Sequence, residues 1–374
     1  MTILGYDATP LLGQRSGVGH YTKRLLSAVM DQNPDWQYHL YSNRPLGELD
    51  SGLHAAEEID SYLPASRWLW MQTVLPQTIR RYRPDLLHFT NSLAPLRQPR
   101  PYVVTVHDAS LFLYRHYHPW SRIAAMRVLL PAVARRAAAI ITPTHLARRD
   151  LLETLRLPAE KVHVVYEAAP DWFCPVTDPV EREALRAKYA LPAEFILFLG
   201  TLEPRKNLER LVRAVGEVHR RGRPVPLVLA GPSGWHLDGR GGLQDTVREL
   251  NLGDHVRYLG YVPTSDLPGL LSLATVFAFP SLYEGFGLPA VEAMACGAAI
   301  LTSRDTAMAE ICGDAAWLID PYSLDNMADG LERLLVDTEL RDCLSRRATR
   351  RARQFSWKRA AAETTAVYRQ VLGQ

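Results

Sequence analysis

Cysteine is scarce: the 374 residues hold four, Cys174, Cys296, Cys312 and Cys343, and no two form a CxxC pair. That scatter excludes a disulfide framework and a cysteine zinc site, and predicts reduced thiols in a cytoplasmic protein. No apolar run approaches the roughly 20 residues of a membrane-spanning helix. The opening Met1-Thr2-Ile3-Leu4-Gly5-Tyr6-Asp7 lacks the basic segment and long apolar stretch of a signal peptide, so none is expected. The net charge of +3 is too small to predict nucleic acid as a partner. Internal repeats and low-complexity segments are absent as well.

What is present reads as α/β. At 374 residues the chain exceeds one ordinary core, so two domains are expected. Short apolar runs alternate with amphipathic stretches, the pattern of parallel sheets covered by helices. Strands are predicted at 2–6, 36–41, 85–89, 102–106, 138–142 and 162–165, with helices at 18–30, 67–82, 121–137 and 145–155. Pro170, Pro175 and Pro179 then interrupt the pattern. A second series of strands is predicted at 195–199, 226–230, 256–259, 275–279, 298–301 and 316–319. Two doubly wound Rossmann-like units result, 1–172 and 173–356, facing a cleft where ligands would meet the carboxyl ends of the strands. The amphipathic stretch 357–374, announced by Phe355 and Trp357, completes the fold. Charge is uneven: residues 1–170 hold 19 Lys and Arg against 14 Asp and Glu. The surplus gathers around Arg115, Arg122, Arg127, Arg135, Arg136, Arg148 and Arg149. This is either a solvated helix face or a surface that meets anionic lipid.

Four segments carry chemistry. In Phe279-Pro280-Ser281-Leu282-Tyr283-Glu284-Gly285-Phe286-Gly287-Leu288-Pro289 a strand runs through a glycine-bearing loop into a helix. Pro289 suits the first turn. The amides of Gly287 and Leu288 at the positive end of that helix make an anion site fit for a diphosphate or sugar hydroxyls. Glu284 in the loop and Glu292 in the helix have the spacing to accept from vicinal hydroxyls. Glu292 sits among Ala290, Val291, Ala293 and Met294 and therefore needs a partner. In Gly200-Thr201-Leu202-Glu203-Pro204-Arg205-Lys206, two adjacent cations at a strand end suit a departing diphosphate. Lys206 is one of only five lysines in a chain otherwise committed to arginine. Ser16-Gly17-Val18-Gly19, between the first strand and first helix, brings backbone amides near a phosphate or the acceptor, though it is not a full GxGxxG. His107-Asp108 ends a buried strand at the cleft.

Together these segments resemble the family 4 glycosyltransferases, retaining enzymes of the GT-B fold. Glu284 and Glu292 look like that family's Glu-x7-Glu motif. Gly200-Thr201 with Arg205-Lys206 is similar to its diphosphate loop, while Gly17-Val18-Gly19 and His107-Asp108 are similar to its amino-domain elements. The resemblance implies that the last helix returns to the amino domain, which binds the acceptor, and that the second domain binds a nucleotide sugar. By it, Arg205 and Lys206 stabilise the leaving diphosphate and Glu292 holds the ribose. Glu284 and the amides of Gly285, Phe286, Gly287 and Leu288 hold the donor sugar. Gly17, Gly19, Gly200 and Thr201 also face the donor, His107 lies near the reacting carbon, and Ser16 and Asp108 face the acceptor. Front-face attack, with the leaving phosphate taking the proton, needs no cofactor and no metal; no DxD motif stands at a strand end. Val165-Tyr166-Glu167-Ala168-Ala169-Pro170 departs from the family's Pro-Asn-Gly-Val stretch. The opening Tyr6-Asp7-Ala8-Thr9-Pro10-Leu11 looks most like bacterial mannosyltransferases of O-antigen and exopolysaccharide assembly. Those would take GDP-mannose and a saccharide or lipid-linked acceptor on the inner face of the plasma membrane. Another donor such as UDP-glucose or dTDP-rhamnose, a nucleotide-sugar 2-epimerase, a non-catalytic nucleotide-sugar binder and a nicotinamide dehydrogenase are the alternatives.

Overall fold

Runs such as Leu86–Phe89, Tyr102–Thr105 and Ala139–Thr142 bury every residue, which requires helices on both faces of a sheet. The computed structural model describes residues 2–13, 17–47, 51–53, 55–64, 66–117, 120–232 and 242–374. Its first sheet contains β1 (Ile3–Asp7), β2 (Gln37–Tyr41), β3 (Ala56–Ile59), β4 (Leu86–Phe89), β5 (Tyr102–Thr105), β6 (Ala139–Thr142) and β7 (Val162–Val164). The second contains β8 (Ile196–Leu199), β9 (Leu227–Ala230), β10 (Val256–Gly260), β11 (Val276–Phe279), β12 (Ile300–Ser303) and β13 (Trp317–Ile319). The orders are β3-β2-β1-β4-β5-β6-β7 and β10-β9-β8-β11-β12-β13, with every pairing parallel. Strand order reverses between β1 and β4 and between β8 and β11, and at such switch points the loops diverge and leave room for a ligand.

Two strands differ from expectation. β3, Ala56-Glu57-Glu58-Ile59, has one fully buried residue and lies at the sheet edge, so it lacks the apolar run that marks its neighbours. β12 starts at Ile300, not at residue 298. Gly297 (φ 71) and Ala298 first close the preceding helix, donating to the carbonyls of Met294 and Ala293.

The chain divides into two compact units, 1–167 with 356–374, and 168–355. The first ends at Glu167, whose side chain bonds to His107, whereas Val176 already donates to Ser272 of the second unit. The helix Trp357–Leu372, capped by Ser356, buries Trp357, Ala360, Ala361, Thr364, Thr365, Val367 and Tyr368, the stripe expected of a helix seated on a core. It packs on the helix Gly17–Gln32 of the first unit. Within that unit the Tyr368 hydroxyl lies between the Tyr6 hydroxyl and Nδ1 of His88, 2.6 Å away. Nε2 of His88 meets the Thr105 hydroxyl at 2.8 Å, and Thr105 meets the Tyr21 hydroxyl at 3.0 Å. Burial, reinforced by the charge of His107, pushes His88 down to about 3, so this chain of buried polar groups crosses the core with a neutral imidazole.

Candidate functional site

In the second unit the loops after β8, β9 and β11 are stitched together around the switch point. Gly200 (φ 143) follows β8, and Gly231 (φ 134) follows β9. A Cβ on Gly231 would stand 2.1 Å from the Gly200 carbonyl oxygen, so only glycine allows the approach. The chain then makes a tight turn over Pro204–Lys206, and Asn207, left-handed at φ 63, opens the helix Leu208–Arg220. The Asn207 amide donates to the carbonyls of Pro280 (3.1 Å) and Pro321 (2.7 Å). The Leu282 N–H donates to the Arg205 carbonyl at 2.9 Å. Sequence reasoning assigned no role to Asn207; a tolerated left-handed residue at a helix start is the signal that was available.

This turn brings Arg205, Lys206 and Glu284 together. Lys206 Nζ donates to Glu284 Oε1 at 2.5 Å, and Arg205 Nη1 to Glu284 Oε2 at 3.1 Å. Arg205 also donates to the Tyr283 carbonyl (2.5 Å) and to Glu203 Oε1 (2.6 Å). Lys206 lies 4.7 Å from the ring centre of Phe279, a cation over an aromatic face. Both Lys206 and Glu284 are buried, at 8 % and 6 % exposure. Burial would raise the Glu284 carboxyl, but Lys206 and Arg205 overcome it and hold it at about 2. Burial lowers the Lys206 ammonium, and the Arg205 charge lowers it further against the pull of Glu284. Glu284 therefore holds side by side two cations that would otherwise repel.

Beyond Glu284, Gly285 and Phe286 are buried, with Phe286 edge-on to Phe355. Gly287 adopts φ 89 at the head of the helix Leu288–Ala295, where a Cβ would meet the Met308 methyl at 2.2 Å. Pro289 occupies the first turn, where its missing N–H costs nothing, and the Ala290 N–H donates back to the Gly287 carbonyl at 2.9 Å. Glu292 lies within the helix at 8 % exposure. Thr201 is exposed after β8.

In the first unit His107 follows β5. Its Nδ1 lies 3.2 Å from Glu167 Oε1 and its Nε2 3.0 Å from the Thr90 carbonyl, while Tyr21 packs edge-on against the ring. The sequence reading placed His107 near the reacting carbon but missed Glu167, an isolated acid outside any periodic pattern. Its one signal was the departure from the family's usual stretch. Asp108 accepts the Ser110 N–H at 2.8 Å and so braces the turn into a short helix. Gly17 and Gly19 fall inside the first turn of the helix Gly17–Gln32, not before it. Ser16 lies outside the described residues. On the basic face Arg115, His116, Trp120, Ile123, Ala124 and Arg127 line an open groove of about 400 Å³, and Trp120 is 78 % exposed. Arg148, by contrast, donates to the carbonyls of Val162 and Ala159.

Residues 181–351 match the family described as Glycosyl transferases group 1, and residues 15–169 match Glycosyltransferase Family 4. The chain is 34% identical over 293 residues to O-antigen chain mannosyltransferase B of Escherichia coli, covering 78% of this chain and 76% of that protein. Among solved structures, Anabaena HepE in complex with UDP and glucose superposes with a TM-score of 0.77 at 20% identity, over 98% of this chain and 99% of that one. Sucrose-phosphate synthase from Thermosynechococcus elongatus does so at 0.80 and 20% identity, over the whole of both chains. At that identity these two show the fold alone. Two parallel-sheet Rossmann-like domains, both family matches and the long match to a mannosyltransferase converge: the chain is a GT-B glycosyltransferase of family 4 and belongs with the O-antigen mannosyltransferases.

Proposed function

We propose that the protein transfers mannose from GDP-mannose, with retention of configuration, onto a saccharide or lipid-linked acceptor in bacterial polysaccharide assembly. The observation that carries this reading is the buried cluster of Arg205, Lys206 and Glu284 at the β8–β11 switch point. Lys206 has three N–H donors and Arg205 five, and preorganised donors that need not reorient stabilise the charge growing on a leaving diphosphate. In the proposal these cations serve where other transferases use a metal, and no cofactor is required. Glu284, ionised and acceptor-only, keeps lone pairs for a donor-sugar hydroxyl. Glu292 takes the ribose, and the amides at the head of Leu288–Ala295 complete the anion site. The departing phosphate oxygen removes the acceptor proton, so no protein nucleophile is invoked. The test is a thermal-shift and hydrolysis screen of GDP-, UDP-, ADP- and dTDP-sugars in excess EDTA. A response confined to GDP-mannose is expected. A response to another donor overturns the sugar, and activity abolished by EDTA overturns the metal-free chemistry.

A second reading concerns location. Among the described residues no helix is long and apolar enough to cross a membrane. We infer that the enzyme is cytoplasmic and makes peripheral contact with anionic lipid. The support is Trp120, largely exposed, standing beside Arg115 and Arg127 over the apolar side chains of Ile123 and Ala124. The protein should pellet with phosphatidylglycerol vesicles at low salt, and a Trp120→Ser variant should not. Failure of the unaltered protein to pellet leaves that face merely solvated.

A further inference from the structure

We propose that Glu167 is a positioning residue of this transferase, fixing His107 as a doubly protonated cation that ties together the loops after β4, β5 and β7. The inference deepens the functional reading above, since it takes the His107 strand end to belong to the transfer site.

The argument is one of donors and acceptors. A backbone carbonyl only accepts, so the contact of Nε2 with Thr90 requires a hydrogen on Nε2. An ionised carboxylate also only accepts, so the contact of Nδ1 with Glu167 requires a hydrogen on Nδ1. Glu167 is 4 % exposed, and a carboxylate buried to that degree needs a positive partner. With Glu167 ionised, a charged imidazolium satisfies all three groups at once, whereas either neutral tautomer leaves one contact without a hydrogen.

The surrounding groups agree. Facing His107 are Glu167 from the segment after β7, Asp108 on its own loop, His88 from β4 and Tyr21 from the helix Gly17–Gln32. Burial acts to lower His107, yet Glu167, the Thr90 carbonyl and Asp108 together raise it. His88 is pushed the other way by burial and by the charge on His107. Tyr21, its phenol raised by burial, stays neutral and presents a ring edge.

Two consequences follow for the chemistry. A ring that already holds both protons takes none from an acceptor hydroxyl, so His107 is not a general base, in keeping with proton removal by the leaving phosphate. Its positive charge is offset by Glu167, so it does not stand unbalanced beside the oxocarbenium-like charge of a sugar in transfer. The Val165–Pro170 stretch that departs from the family pattern thus supplies a counter-ion.

The test uses the full chain labelled with ring-¹⁵N histidine, with His107→Ala for assignment. Wild-type His107 should titrate above the ordinary histidine value, and in Glu167→Gln its titration should fall by at least about one unit, tenfold in proton affinity. Release of nucleoside diphosphate from GDP-mannose should lose about tenfold in kcat in Glu167→Gln, with KM nearly unchanged. The loss should deepen from pH 6 to pH 8 as His107 discharges, and Glu167→Asp should recover part of it. A pH-independent loss would mark Glu167 as merely structural. A wild-type His107 titrating near the ordinary histidine value, or an unmoved titration in Glu167→Gln, overturns the ion pair. A shifted titration with unchanged kcat overturns the positioning role. Full turnover in His107→Ala, with the titration shift intact, instead sinks the assignment of this strand end to the transfer site.

Discussion

Glu284→Gln tests the cation cluster most directly, because it removes a charge while keeping the shape of the side chain. In the native chain the Glu284 carboxylate pairs with Lys206 at 2.5 Å and with Arg205 at 3.1 Å, Arg205 also holding Glu203, in a setting where Lys206 is 8 % exposed. Removing one member of a buried pair costs about 3–5 kcal/mol, because the remaining charge is left uncompensated. For a unit of this size that is a fall in Tm of about 6–20 °C. Lys206 can shed its proton, which holds the loss toward the lower figure. The variant should then gain stability as pH rises toward the ordinary lysine value, because the unfolded chain keeps the Lys206 proton longer than the folded one. A nucleoside diphosphate without a sugar restores negative charge, so saturating GDP should raise the variant's Tm by more than the wild type's. The double variant Lys206→Met, Glu284→Gln should regain much of the stability and none of the turnover. Scanning fluorimetry and donor hydrolysis read all of these. A Glu284→Gln protein that melts with the wild type, or a double variant no more stable than the single, refutes the view that Glu284 holds the two cations together.

Gly231→Ala would set a Cβ against the Gly200 backbone at φ 134, and a loss of at least about 2 kcal/mol is expected; a wild-type melting curve would deny the close approach. Tyr368→Phe leaves Nδ1 of the buried His88 without its partner, at about 1–3 kcal/mol. Urea unfolding followed by tryptophan fluorescence should show the midpoint shift, and none would mean that water or a rotated ring replaces the hydroxyl. Glu284 is held at about 2, below its unfolded value, so its contribution is complete above about pH 4.5 and is lost as pH falls toward 2. The difference in urea midpoint between wild type and Glu284→Gln should shrink across that window; a constant gap contradicts the depressed carboxyl.

The central strands were legible because burial on both faces writes uninterrupted apolar runs, as in Ile196–Leu199 or Val276–Phe279. Arg205, Lys206 and Glu284 were legible as charged residues at the ends of such runs, but their mutual pairing was not. Ion pairs between residues almost 80 positions apart leave no local trace. β3 escaped because an edge strand with two glutamates reads as a loop. Glu167 escaped for a related reason: its meaning lies in His107, 60 residues earlier, and nothing in its own neighbourhood is periodic. The start of the first helix at Gly17 was hidden because glycine is a poor helix former and suggests a loop.

The return of the last helix to the first unit also sets a timetable. Tyr368 completes the polar chain through Tyr6 and His88, Thr365 accepts from Asn33, and the Lys358 carbonyl accepts from Gln32. None of these partners exists when residue 167 leaves the ribosome. At ordinary synthesis rates of about 5–20 residues per second, the amino-terminal sheet waits roughly 10–40 s for them. During that interval the second unit, contiguous in sequence, can close first. Until then Tyr6, His88 and the apolar face of Gly17–Gln32 lack the helix that covers them in the folded chain. By the order of its contacts, the half made first is the half whose last partner arrives last.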